Sequence, residues 1–203
     1  MKKEYWYVII AYIAMQLSSL IGIPIVAFIG AAMGKSLEEM ETLSIPYWLV
    51  ISFSLTLVIV LLLLRKERRT GADLRDASSP VSSAAWAFAG VFLALFAQSI
   101  ASSIENMLGI EMGSENTQEI IKLIEMFPIV ILVSSIIGPI LEEIVFRKII
   151  FGSLHKKMNF FFSALISSVI FALAHMEPEH VILYSAMGLT FAFLYVKTKR
   201  IIV

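Results

Sequence analysis

The stretch IIGPILEEIVFRKII, Ile136 to Ile150, decides how this chain is read. It sets Glu142, Glu143 and Arg147 inside a run otherwise made of bilayer-like residues. A charged side chain at the centre of a bilayer costs roughly 2.5–3.5 kcal/mol on insertion scales, so charges there are rare and mark functional positions. Something must offset that cost. In an α-helix, residues four apart share a face, which pairs Glu143 with Arg147. Glu142 and Arg147 are five apart, about 140° around such a helix, which leaves Glu142 unclaimed. Gly138 and Pro139 precede the cluster. Proline removes a helical hydrogen bond and can kink the run, and Ser134 or Ser135 can satisfy the freed carbonyls.

The surrounding chain is equally apolar. Of its 203 residues 59% are hydrophobic and the mean hydropathy is +0.86, against about 45–50% apolar in soluble domains. Apolar runs cover residues 5–33, 45–64, 84–104, 126–146, 160–174 and 181–196. A helical span needs roughly 20 such residues, and helices are the open structures that satisfy their own backbone in lipid. The expected fold is an all-α, polytopic transmembrane helix bundle of about six spans, forming a single domain over 1–203. Its fifth and sixth runs are short. The first run is too long for a signal-peptide core and lacks a small-residue cleavage site.

Net charge is zero, with sixteen basic and sixteen acidic residues. That balance excludes a generally basic nucleic-acid binder. Basic residues gather at Lys2 and Lys3, from Arg65 to Arg75, at Arg147, Lys148, Lys156 and Lys157, and at Lys197, Lys199 and Arg200. The alternate connections are acidic: Lys35 to Glu41, Glu105 to Glu125 and Met176 to His180. The positive-inside rule then places both termini in the cytoplasm. The segment Glu105 to Glu125 is polar with scattered Ile, Leu and Met, and reads as an interfacial helix. With no cysteine, disulfides and thiolate metal sites are absent. The expected location is the cell membrane of a bacterium, multi-pass and in contact with lipid.

A second unusual residue is His175, which ends the fifth run in IFALAH. Phe171 lies four residues earlier, on the same helical face. The connection between the fourth and fifth runs turns near His155 to Lys157, so two antiparallel helices bring Glu142 and His175 to depths about 6 Å apart. Two registers follow. If Arg147 marks the membrane boundary, the two side chains do not meet. If the fourth helix continues to about Leu154 with Arg147 buried beside Glu143, they converge and the short fifth helix ends inside the bundle. The second register accounts for the short run and is the expected one.

These residues resemble a known family. EEIVFR fits the EExxxR motif and FALAH the FxxxH motif of the CPBP family, the CAAX proteases and bacteriocin-processing enzymes also called Abi. GLTFAFLYVKTKRI, Gly188 to Ile201, looks like that family's following helix. The resemblance covers residues 127–203; the last family motif, HxxxN, does not occur before the sequence ends at Val203. It implies an intramembrane endopeptidase acting on a membrane-associated peptide or protein. Glu142 would activate the attacking water, and His175 would assist and stabilise the oxyanion. Glu143, Arg147 and Phe171 would support the site. No cofactor is expected. A zinc version remains open but lacks a ligand, since catalytic zinc uses three protein ligands and no HExxH pair is present.

Blander readings stand beside these. The charged cluster can be a structural ion network, and the chain a non-catalytic scaffold or regulator of the same fold. A proton-coupled transporter would need internal symmetry and polar residues in other spans, where Gln16 and Gln98 offer little. In HMEPEH, Pro178 interrupts any helix and the spacing fits no standard metal site, so it reads as a polar turn. Nothing in the sequence sets an oligomeric state or a prenyl preference.

Overall fold

The computed structural model describes residues 1–67 and 77–201, and every described element is helical. Most of the basic stretch from Arg65 to Arg75 lies outside the described residues. Helices α1 (Lys3–Leu17), α2 (Ser19–Ala32), α3 (Leu37–Leu64), α4 (Pro80–Met107) and α5 (Glu115–Met126) come first. The charged stretch follows in one continuous but irregular helix, α6. It runs through Val130–Leu132, a π segment Val133–Ile137, an α turn Gly138–Glu142, a second π segment Glu143–Phe151 and a last turn Gly152–His155. Then come α7 (Phe160–Leu173), a 3₁₀ turn Pro178–His180 and α8 (Val181–Thr198).

Three of these helices are long and apolar enough to cross a membrane, or four if the bent α1–α2 pair counts as one span. The six apolar runs are thus not six straight spans. The first bends by 52° between Leu17 and Ser19, the fourth is broken by π segments, and α7 has 14 residues, about 21 Å of rise. Apolar side chains cover the outside: Phe28, Phe88 and Phe96 are well exposed, as lipid-facing residues are.

The chain forms two compact units. The first comprises Met1–Glu67 and Glu119–Leu141. Its bend is stabilised by polar atoms at Ser18: the hydroxyl donates to the Met15 carbonyl at 2.6 Å and accepts from Trp48 Nε1 at 3.1 Å. Gly22 lets the Trp48 indole lie against the backbone, since a Cβ there would fall 1.8 Å from the ring. Ser36 caps α3 by accepting from the Glu39 N–H, an ordinary N-cap. In the same unit Ser134 Oγ donates to the Val130 carbonyl at 3.1 Å, next to the π segment that precedes Pro139.

The second unit comprises Arg68–Gln118 and Glu142–Val203. Here α8 lies between α4 and α7, admitted by small residues as close helix approach in membranes requires. Leu194 of α8 sits over Gly90 of α4, and Gly188 of α8 lies against Ser168 of α7. A Cβ on Gly188 would approach Ser168 Cβ to 2.7 Å and its Cα to 2.9 Å. Phe151, Ala164 and Ala192 close the core where α6, α7 and α8 meet. Asn159 starts α7 by accepting from the Phe162 N–H at 3.1 Å. Gly188→Val should therefore force α7 and α8 apart and cost about 1–3 kcal/mol, as overpacking does. Thermal unfolding of the detergent-solubilised protein checks this; an unchanged midpoint would show that the helices do not pack this closely.

Candidate active site

The second unit holds all five residues singled out by sequence. Helix α6 stays helical through His155, and Arg147 is fully buried, as in the register with the arginine beside Glu143. Its Nε lies 3.2 Å from Glu143 Oε1. None of its three guanidinium nitrogens finds a hydrogen-bond acceptor among the described residues, so Glu143 holds it by charge. Aromatic faces do the rest. The guanidinium carbon sits 4.6 Å from the Phe171 ring centroid and 5.3 Å from that of Phe191, both within cation–π range.

The ion pair of Arg147 is with Glu143, as the i,i+4 spacing predicts. From Glu143 to Phe151 the backbone is π-helical, with bonds to the fifth residue, a departure from the α-helical periodicity assumed from sequence. The charges of both Glu142 and Glu143 act on Arg147. Neither glutamate is fully buried.

Phe171 carries the cluster across to α7. It is buried, meets Phe146 of α6 edge-on at 5.1 Å, and its backbone carbonyl accepts from His175 Nδ1 at 2.8 Å. A carbonyl cannot donate, so Nδ1 carries the proton and a neutral His175 presents Nε2 as an acceptor. The rings of Phe171 and His175 lie 4.5 Å apart. No hydrogen bond joins Glu142 to His175 among the described residues; Arg147 and Phe171 connect them.

The stretch HMEPEH is more than a polar turn. Glu177 and His180 are buried and each is fixed to another part of the unit. His180 Nδ1 donates to Glu105 Oε2 at 2.9 Å, and Glu105 Oε1 accepts from the Leu183 N–H at 2.8 Å. Glu105 of α4 thus satisfies a free N–H in the first turn of α8, where carboxylates are favoured. Glu177 does the same for α5: its Oε1 accepts from the Asn116 N–H at 2.9 Å, and its Oε2 from the Tyr184 hydroxyl at 2.6 Å. Among the described residues no group of three or more His, Cys, Asp or Glu side chains could hold a metal, and the Glu105 and Glu177 oxygens are engaged by these donors.

Comparison with known proteins agrees with the site's motifs. The family model for type II CAAX prenyl endopeptidases of the Rce1-like kind matches residues 124–203. The chain is 52% identical over 202 residues to the membrane peptidase YdiL of Bacillus subtilis (strain 168), covering 99% of this chain and 83% of that protein. The chain belongs to the Rce1-like family of CAAX-type membrane proteases. It is also 32% identical over 205 residues to the membrane-embedded CAAX protease MroQ of Staphylococcus aureus (strain USA300), covering 96% of this chain and 80% of that protein. No solved structure matches it. The match includes both EExxxR and FxxxH and begins three residues before the segment whose motifs resemble the family.

Two outcomes follow from the Glu105 and Glu177 contacts. Glu105→Ala leaves the Leu183 N–H and the His180 imidazole without their acceptor. It should destabilise the protein by about 1–3 kcal/mol, the cost of an unsatisfied buried group, measured by denaturant unfolding; an unchanged midpoint would remove Glu105 as the anchor of α8. For Glu177, burial alone pushes the carboxyl up, but the Asn116 N–H and the Tyr184 and Ser114 hydroxyls outweigh it and hold the group below its ordinary value. A depressed carboxyl stabilises the fold above its unfolded pKa, here 4.5, and loses that contribution as pH falls through the lower folded value. Glu177→Gln should therefore flatten the decline in melting temperature below about pH 4.5. A decline as steep as that of the wild type would show that Glu177 gains nothing from its donors.

Proposed function

We propose that this chain is an intramembrane endopeptidase in which Glu142 is the general base and His175 positions the attacking water. The observation that carries the reading is the run of contacts from Glu143, next to Glu142 in sequence, through Arg147 and Phe171 to His175, in a member of a CAAX-type protease family. Glu142 takes a proton from water as its oxygen adds to the scissile carbonyl carbon. That proton then passes to the departing amine as the carbon–nitrogen bond breaks. No net charge is created, which suits a site among apolar helices.

The imidazole has a narrower role than the family resemblance implies. With Nδ1–H committed to Phe171, neutral His175 offers only Nε2, which accepts. It orients a water O–H; donating to an oxyanion would require the imidazolium. Arg147 stays charged and buried, fixing Glu143 and Glu142 about itself and the Phe171 face beneath it. The substrate class is a peptide or protein at the membrane, and the family name makes prenylated CAAX-type peptides the first to try. If the six apolar runs each cross once, the positive-inside pattern puts the basic connections and both termini in the cytoplasm.

Glu142→Gln keeps shape and volume but cannot take a proton. It should lower cleavage by at least about 100-fold, as loss of a general base does, with an unchanged melting temperature. The assay is release of a fluorophore from a farnesylated CAAX-type peptide, its unprenylated counterpart and an apolar membrane-spanning peptide. Wild-type rates for Glu142→Gln on a substrate the parent cleaves would remove Glu142 as the base.

A further inference from the structure

Outside EExxxR and FxxxH, an aromatic residue of α8 touches the histidine directly. The Tyr184 ring lies nearly flat on the His175 imidazole, with centroids 3.9 Å apart and planes 27° from parallel. Phe171 meets the same imidazole at 4.5 Å and 65°. Two ring contacts and the Nδ1–H bond to the Phe171 carbonyl leave the histidine little freedom about its side-chain torsions.

Tyr184 is itself held. It is buried near the start of α8, donates to Glu177 Oε2 at 2.6 Å, and lies within 3.0 Å of the Ser114 hydroxyl. Glu177 in turn is fixed by the Asn116 N–H at 2.9 Å, and the helix that carries Tyr184 is fixed at its N-terminus by Glu105. A carboxylate hydrogen bond of this length is a strong, charge-assisted one. The arrangement resembles outer-shell support of a reactive imidazole, in which a polar partner sets ring orientation from behind.

We propose that Tyr184, anchored by Glu177, is a positioning residue that sets the plane of His175 and so aims Nε2. The inference rests on the proposed role of His175, but its geometric content stands apart from proteolysis. The phenol ring supplies the stacking surface, and the hydroxyl, through Glu177, sets where that surface lies. Phenylalanine keeps the first contribution and loses the second; leucine loses both.

Only three histidines are present, His155, His175 and His180, so histidine-labelled full-length protein in nanodiscs gives a readable spectrum, with His175 assigned by its loss in His175→Gln. The wild-type His175 signals should show an upfield ring-current displacement and the Nδ1–H tautomer. Tyr184→Leu should abolish the displacement and lower kcat by about tenfold or more with KM within about twofold, the signature of lost orientation. Tyr184→Phe and Glu177→Gln should keep most of the displacement, with intermediate kcat. A His175 signal that Tyr184→Leu does not move overturns the proposal. So does a signal that moves while kcat stays at the wild-type value. A wild type that cleaves none of the three peptides would sink the proteolytic reading alone, and the histidine spectrum would then decide this one.

Discussion

A guanidinium with no exposed surface is the constraint around which the second unit is built. Arg147 cannot shed its proton, and burying a cation costs several kcal/mol unless charge and geometry offset it. The unit answers from three directions: Glu143 at 3.2 Å, Glu142 within electrostatic reach, and the faces of Phe171 and Phe191. The two carboxylates belong to α6 itself, Phe171 to α7 and Phe191 to α8. The charge therefore fixes the mutual placement of three helices as well as the carboxylates beside it. Replacing it with an apolar residue would relieve the desolvation and release the placement together.

The backbone that carries this arrangement is π-helical from Glu143. A regular α-helix would aim Glu142 away from Arg147 and present it to another neighbour. Here the backbone takes π turns instead, and the charges of both carboxylates act on the one cation. Such irregular turns are uncommon and recur at functional sites.

Much of this was legible in the sequence, and the limits are instructive. Hydropathy reported helices and a membrane because backbone satisfaction in lipid permits little else. The pairing of Glu143 with Arg147 followed from i,i+4 spacing, and the burial of Arg147 from the shortness of the fifth run. The bend at Ser18 and the π segments were not legible: both arise from local packing, and π turns carry no compositional mark. The contacts of Glu105 with His180 and of Tyr184 with Glu177 and His175 were missed for different reasons. Glu105 and His180 are 75 residues apart, beyond any periodicity argument. The only signal was a carboxylate at the very end of an apolar run, facing a connection that also held histidine. Tyr184 looked like one more aromatic residue in a span.

The two buried carboxylates outside the motif divide labour with the two inside it. Glu105 and Glu177 have each oxygen engaged by an N–H or O–H donor, which makes them weaker proton acceptors than a carboxylate without donors. Glu142 accepts no such bond among the described residues, and the charges that act on it are those of Arg147 and Glu143. A carboxylate surrounded by donors is a structural anchor; one beside a buried cation, without donors of its own, retains the lone pairs that proton abstraction requires. That criterion is consistent with the base proposed for the site: of the motif's two glutamates, among the described residues, Glu143 is drawn into the ion pair and Glu142 is not. The anchors stand on the other side of the imidazole: Glu105 joins α4 to the first turn of α8, and Glu177 joins Asn116 to Tyr184, while among the described residues no hydrogen bond engages Glu142.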